Sequence, residues 1–255
     1  MNTYEKLLQL GVFSLYNVDE LYSNRNSATS ALRALVKKDL VKKIKKNLYV
    51  CNDIETRTPV ADKYKIGSSI TKDAYISHHS ALEFHGVGHQ LFFEVYVSSI
   101  HAFKPFEFEG ITFRYVNSKS LEGVQTHSTN RGVRVTDLER TVIDCIKDLD
   151  KAGGIEEFLQ CLRLITFLDS NKLMQYLKMY NTQFLYQKTG FIFEHFQDEL
   201  KLPQDFLYFC KQNIQKSKRY LTEQNEKDLT YNAKWRLLVP KYLMSFMEQG
   251  GEELI

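Results

Sequence analysis

Apolar positions in the first fifty residues recur at helical spacing and then give way to a lysine-studded hairpin. Leu7, Leu8 and Leu10 mark the inward side of a helix from Thr3 to about Leu10, with Gly11 as its stop. Residues 17–22 predict a short helix, with Asn17 as its cap and Glu20 reaching back. Ser23-Asn24-Arg25 reads as a turn, and a second helix follows over about 26–38. On a helical wheel, Ala28, Ala31, Leu32, Leu35 and Val36 gather on one side, and Asn26, Thr29, Ser30, Arg33 and Lys37 on the other. Two strands then flank the tip Lys45-Lys46-Asn47, with Val41, Ile44, Leu48 and Val50 turned inward and the lysines outward. Asn47 suits a left-handed turn position.

Farther on, Pro59 predicts the start of a helix over roughly 59–70, because proline fits a first helical turn. A helix over 77–84 ends at Gly86-Val87-Gly88. Strand-like runs follow at 92–98, 106–109, 111–116 and 133–135, separated by Lys104-Pro105, Glu109-Gly110 and Asn130-Arg131-Gly132. The pattern then turns helical, at 137–149, 155–168, 171–180, 189–200 and 205–212. Two late strands, 219–221 and 234–239, precede a last short helix. The expected fold is α+β, with an N-terminal winged helix-turn-helix over 1–58 and a larger mixed α/β domain over 59–255. That domain is strand-rich over 90–135 and mainly helical over 136–255.

Charge sharpens this picture. Residues 1–58 carry ten basic and six acidic side chains, while the whole chain is only +3. Between Arg25 and Lys46 stand eight Lys/Arg and one acid, Asp39. A basic helix-turn-helix with a lysine-rich wing points to double-stranded DNA. Thr29, Ser30 and Arg33, beside Asn26, are placed to meet base edges, since short polar side chains allow close approach and arginine pairs bidentately with guanine. Arg25, Lys37, Lys42, Lys43, Lys45 and Lys46 suit phosphates, which position without specifying. A winged-helix protein-interaction module is the alternative. At 255 residues and 43% hydrophobic, the chain is expected to be globular. No apolar run approaches membrane-span length and no signal core opens the chain, so a cytoplasmic home is expected.

Catalytic patterns are sparse. Phosphate-loop, nucleophile-elbow and H-E-x-x-H motifs are missing. Gly67-Ser68-Ser69 begins like a nucleotidyltransferase motif, but no D-x-D follows it. Glu199-Leu200-Lys201 is an E-x-K tripeptide of nuclease type without a partner carboxylate. Thr136 and Glu139 form a capping box at a strand-to-helix junction, and Arg140 and Asp144 can pair on the helix surface. His78, His79, His85 and His89 fall within twelve residues. No nearby acid completes a ligand set, so they are expected to be packed rather than metal-bound. Cys51, Cys145, Cys161 and Cys210 are widely spaced and expected to be buried free thiols. No cofactor, metal site or catalytic set is expected.

The combination resembles the AbiEi-type antitoxins, the regulator half of abortive-infection toxin–antitoxin pairs. The resemblance rests on the Lys45-Lys46-Asn47-Leu48-Tyr49 wing, the segment Tyr75-Ile76-Ser77 through Ala81-Leu82-Glu83 to His85-Gly86, and Val135-Thr136 with Glu139-Arg140-Thr141 and Asp144. Trp235-Arg236-Leu237-Leu238-Val239-Pro240 is similar to the family's closing segment. The resemblance implies a non-enzymatic DNA-binding antitoxin that represses its own promoter at inverted repeats. It further implies that residues 59–255 counteract a cognate nucleotidyltransferase toxin in phage defence, without a stable toxin complex. The runner-up function is a metal-dependent nuclease-like defence protein using Glu199 and Lys201.

Overall fold

In the computed structural model, which describes residues 2–128, 132–222 and 228–248, the chain divides into two compact units. The first comprises Met1–Ser77 and Phe92–Thr136, the second His78–Leu91 and Asp137–Ile255. The division therefore does not fall near residue 58. The N-terminal segment and the following sheet share one unit, and the chain crosses between units three times.

The first unit opens with α1 (Thr3–Leu10), started by a capping box between Asn2 and Glu5 and closed at Gly11. Leu7 is buried, but Leu10 is exposed rather than inward. A short strand, β1 (Val12–Ser14), then precedes α2 (Leu15–Asp19). The second helix thus starts earlier than residue 17. Asn17 does not cap it; its Oδ1 accepts from the backbone N–H and hydroxyl of Ser14 at 2.9 and 2.8 Å. Next come α3 (Arg25–Lys37), capped by Asn24, and the hairpin β2 (Val41–Lys45) and β3 (Leu48–Cys51). The three strands order β1-β3-β2, all antiparallel. Asn47 takes the left-handed conformation at the hairpin tip, with φ of 62°. Beneath lie Leu7, Phe13, Val18, Ala28, Leu32 and Val41.

Pro59 does not begin a helix. Its segment pairs with Asn52 in an isolated antiparallel bridge, and α4 (Lys63–Ser68) starts later, capped by Asp62. A six-stranded mixed sheet completes the unit. Its strands are β4 (Tyr75–Ile76), β5 (Glu94–Ser99), β6 (Phe106–Phe108), β7 (Ile111–Asn117), β8 (Val124–His127) and β9 (Val133–Thr136), in the order β6-β7-β5-β4-β9-β8. Neither β4 nor β8 was legible in the sequence, because one has two residues and the other alternates no apolar side chains.

The second unit is mainly helical. It contains α5 (His78–Phe84), α6 (Leu138–Lys147), α7 (Ile155–Arg163), α8 (Ser170–Tyr180), α9 (Gln183–His195) and α10 (Gln204–Gln212). Then follow a three-stranded sheet of β10 (Arg219–Tyr220), β11 (Leu229–Asn232) and β12 (Leu237–Pro240), and α11 (Lys241–Glu248). Helix α9 starts six residues before its expected position. Leu185 through Phe193 are buried on every side, so no polar face marked its ends. The cap of α6 is Asp137, whose Oδ1 accepts from the Arg140 N–H at 2.9 Å, and Thr136 ends β9 instead. Glu139 accepts from the Asp169 N–H and the Lys172 ammonium. Arg140 and Asp144 do pair, at 2.8 Å, but both are buried rather than on the surface. Among the described residues, no helix is long and apolar enough to cross a membrane.

Candidate functional site

Helix α3 presents a polar face because its apolar residues are consumed by the core. Ala28 and Leu32 are buried, while Arg25, Asn26, Ser30, Arg33 and Lys37 are exposed and Thr29 is half-buried. Asn24 Oδ1 accepts from the Ser27 N–H at 2.8 Å, which holds the first turn carrying Arg25 and Asn26. Between α3 and the hairpin runs a groove of about 460 Å³, lined by Thr29, Arg33, Val36 and Lys37 on the helix and Lys43 and Tyr49 on the strands. Val36 differs from its expected inward position. It is 40% exposed and forms part of this groove.

The hairpin lysines separate because a bulge in β2 between Lys43 and Lys45 breaks the strand alternation. Lys43 and Lys46 are exposed, and Lys43 borders the groove. Lys42 is held at 3.0 Å by Glu109. Lys45 lies over the rings of Phe103 and Phe106, about 5 Å from each centroid, and burial pushes its pKa down. Both therefore have partners within the first unit. The side chains of Arg25, Arg33, Lys37, Lys43 and Lys46 make no ion pair or hydrogen bond with any described residue. Their charges are available to an anion.

The four clustered histidines part company in the second unit. His78 faces Asp148 at 3.5 Å. His79 and His89 instead converge on Glu157, which the sequence places 68 residues beyond His89 and which was not singled out. His79 Nε2 lies 3.0 Å from Glu157 Oε1, and His89 Nδ1 lies 3.1 Å from Oε2. The Cys161 thiol donates to Glu157 Oε1 at 3.2 Å, and the Gln90 N–H donates to the same oxygen at 2.9 Å. Burial raises the Glu157 carboxyl, but the His79, Gln90, Cys161 and His89 hydrogen bonds outweigh it and hold the pKa below its ordinary value. Burial and the neighbouring carboxylate push the Cys161 thiol up to about 12.

Glu199 and Lys201 are exposed in the turn after α9, and their side chains make no hydrogen bond or ion pair with a described residue. Gly67-Ser68-Ser69 belongs to the buried end of α4 rather than to an open loop.

The chain's fold has a counterpart among solved structures. It is similar to the RV2827C protein from Mycobacterium tuberculosis, with a TM-score of 0.64 over 99% of this chain and 96% of that one. Sequence identity is 10%, so the likeness concerns the fold alone. No family model matches the chain, and no curated protein matches it.

Proposed function

We propose that residues 3–51 form a winged helix that binds double-stranded DNA, with α3 entering the major groove and the hairpin alongside the backbone. The observation that carries this reading is the groove between α3 and the hairpin, bordered by three unpartnered cations, Arg33, Lys37 and Lys43. Element order supports it. A helix, strand, two helices and a two-stranded hairpin, with sheet order β1-β3-β2, is the sequence of elements a helix-turn-helix with a wing requires. Asn26, Ser30, Thr29 and Arg33 contact bases, and Val36 supplies an apolar contact for a thymine methyl. Arg25, Lys37, Lys43 and Lys46 hold phosphates. Lys42 and Lys45 drop from that set, because each already has a partner.

In the fuller proposal the chain is an antitoxin of AbiEi type, repressing its own promoter and counteracting a nucleotidyltransferase toxin. Mobility shift with DNA from upstream of its own gene tests the first part. Arg33→Ala should weaken specific binding by about 1–3 kcal/mol and relax sequence preference. Equal affinity for the upstream DNA and a scrambled duplex would reject autorepression while leaving DNA binding intact. Absence of any shift at low salt would reject both. Co-expression with the adjacent nucleotidyltransferase tests the second part, with restored growth expected.

A further inference from the structure

The cluster around Glu157 belongs to the second unit, whereas the proposed DNA interface belongs to the first, and it has a chemistry of its own. Its donors come from three stretches of chain. His79 sits in the first turn of α5, and His89 follows the loop that ends that helix. Glu157 and Cys161 stand one turn apart on the same face of α7. Gly88 makes the loop's approach possible, since a Cβ there would lie 2.9 Å from Glu83 Cγ and 3.1 Å from its Cα. The close approach brings His89 and the Gln90 N–H onto the carboxylate. His79, Glu157 and Cys161 are all buried, and their ligand atoms lie within 4.8 Å of one another. His89 is half-exposed and opens the cluster to solvent.

We propose that His79, His89, Glu157 and Cys161 form a binding site for one zinc-type divalent cation. Two imidazoles, a carboxylate and a thiolate are the mixed N/O/S set that zinc takes in tetrahedral sites. The thiolate and imidazoles disfavour magnesium and calcium, which prefer oxygen donors. Tetrahedral donors about 2.0–2.3 Å from zinc stand roughly 3.2–3.8 Å apart. The separations from Glu157 are already 3.0–3.2 Å, and the His79, Glu157 and Cys161 donors lie within 4.8 Å of one another, near the spacing of such a shell. Without an ion, the thiol proton points at a buried carboxylate. On binding, the cation displaces that proton to solvent and stands between the sulfur and the carboxylate, removing their repulsion. Because α5, its following loop and α7 each contribute, the ion would cross-link them.

The test uses the full-length protein, stripped of metal and titrated with Co²⁺. One equivalent should bind with tetrahedral visible bands and a near-ultraviolet thiolate-to-cobalt charge-transfer band, and one equivalent of Zn²⁺ should bleach both. Cys161→Ser should lose the charge-transfer band, and His89→Ala, a change at a half-exposed position, should weaken cobalt affinity at least tenfold. Cys145→Ser and Cys210→Ser should leave the spectrum unchanged. A wild-type spectrum without a thiolate band overturns the proposal, as does a band surviving in Cys161→Ser or unaltered affinity in His89→Ala. Should Cys161→Ser not fold, as judged by circular dichroism, the wild-type band, its stoichiometry and the His89→Ala affinity decide the matter.

Discussion

Lys188 carries its ammonium into the core of the second unit, where it donates to the Lys147 carbonyl at 2.9 Å. Burial lowers its pKa from 10.5 to about 8. The folded value lies below the unfolded one, so between those two pH values the native chain has released a proton that the unfolded chain still holds. The Lys188 contribution to stability therefore rises with pH across about 8–10.5, against the buried thiols, whose raised values act the other way above about pH 9, and at neutral pH the buried charge costs roughly 3 kcal/mol. Lys188→Met should stabilise the protein at pH 7 by about 1–2 kcal/mol, less than that cost because the Lys147 carbonyl loses its donor. The variant's advantage over the wild type should shrink as pH rises from about 8 to 10.5. Urea unfolding at pH 7 and pH 10 checks both, and a less stable variant at pH 7 would contradict the argument. Gly190 shows the opposite constraint. An added Cβ there would lie 2.1–2.5 Å from the ring of buried Trp235. Gly190→Ala would ordinarily favour a helix by about 1 kcal/mol. Here it should destabilise by about 1–3 kcal/mol or more, because the indole is held by the Glu194 carboxylate at 2.7 Å and cannot retreat. Denaturant midpoints give the sign directly.

At the scale of elements, α3 depends on its cap and the hairpin lysines on the bulge in β2. Asn24→Ala should cost about 1 kcal/mol and fray the turn that carries Arg25 and Asn26. In the proposed complex, DNA affinity should fall with it, which paired unfolding and mobility-shift measurements can compare. The bulge between Lys43 and Lys45 makes these lysines unequal. Lys43→Ala should weaken binding to all sequences alike, whereas Lys45→Ala should affect binding less and stability more, since its stem covers Phe103 and Phe106. Equal binding losses for the two would argue against the hairpin orientation in this reading. The amphipathic elements α1, α3 and α6 were readable to within a few residues. Helix α9 was displaced because it is buried all round, and Pro59 misled because its segment pairs with the end of the hairpin instead of turning into a helix.

For the whole molecule, the salt dependence of DNA binding reports how much of the basic surface is engaged. With roughly four phosphate contacts from Arg25, Lys37, Lys43 and Lys46, the log–log slope should be about −3 to −4 per protomer. Steeper dependence would bring Lys42 and Lys45 back into contact, and a slope near zero would be incompatible with the proposed interface. The likeness in fold to the Mycobacterium tuberculosis protein, at 10% identity, shows that very different residues can satisfy this arrangement of elements. Burial requires volume and hydrophobicity more than identity.

The sequence by itself determined α1, α3 and α6 to within a few residues, which side of α3 carries its polar residues, and that positive charge concentrates before residue 58. These follow from periodicities and counts that neighbouring residues carry among themselves. Only the tertiary structure decided which lysines remain unpartnered, because Glu109, Phe103 and Phe106 lie more than fifty residues from the hairpin. It alone decided that Glu157 and Cys161 meet His79 and His89, for no local pattern encodes a contact between α7 and the loop after α5. Side chains distant in sequence acquire a shared chemistry only when packing brings them within reach of one another.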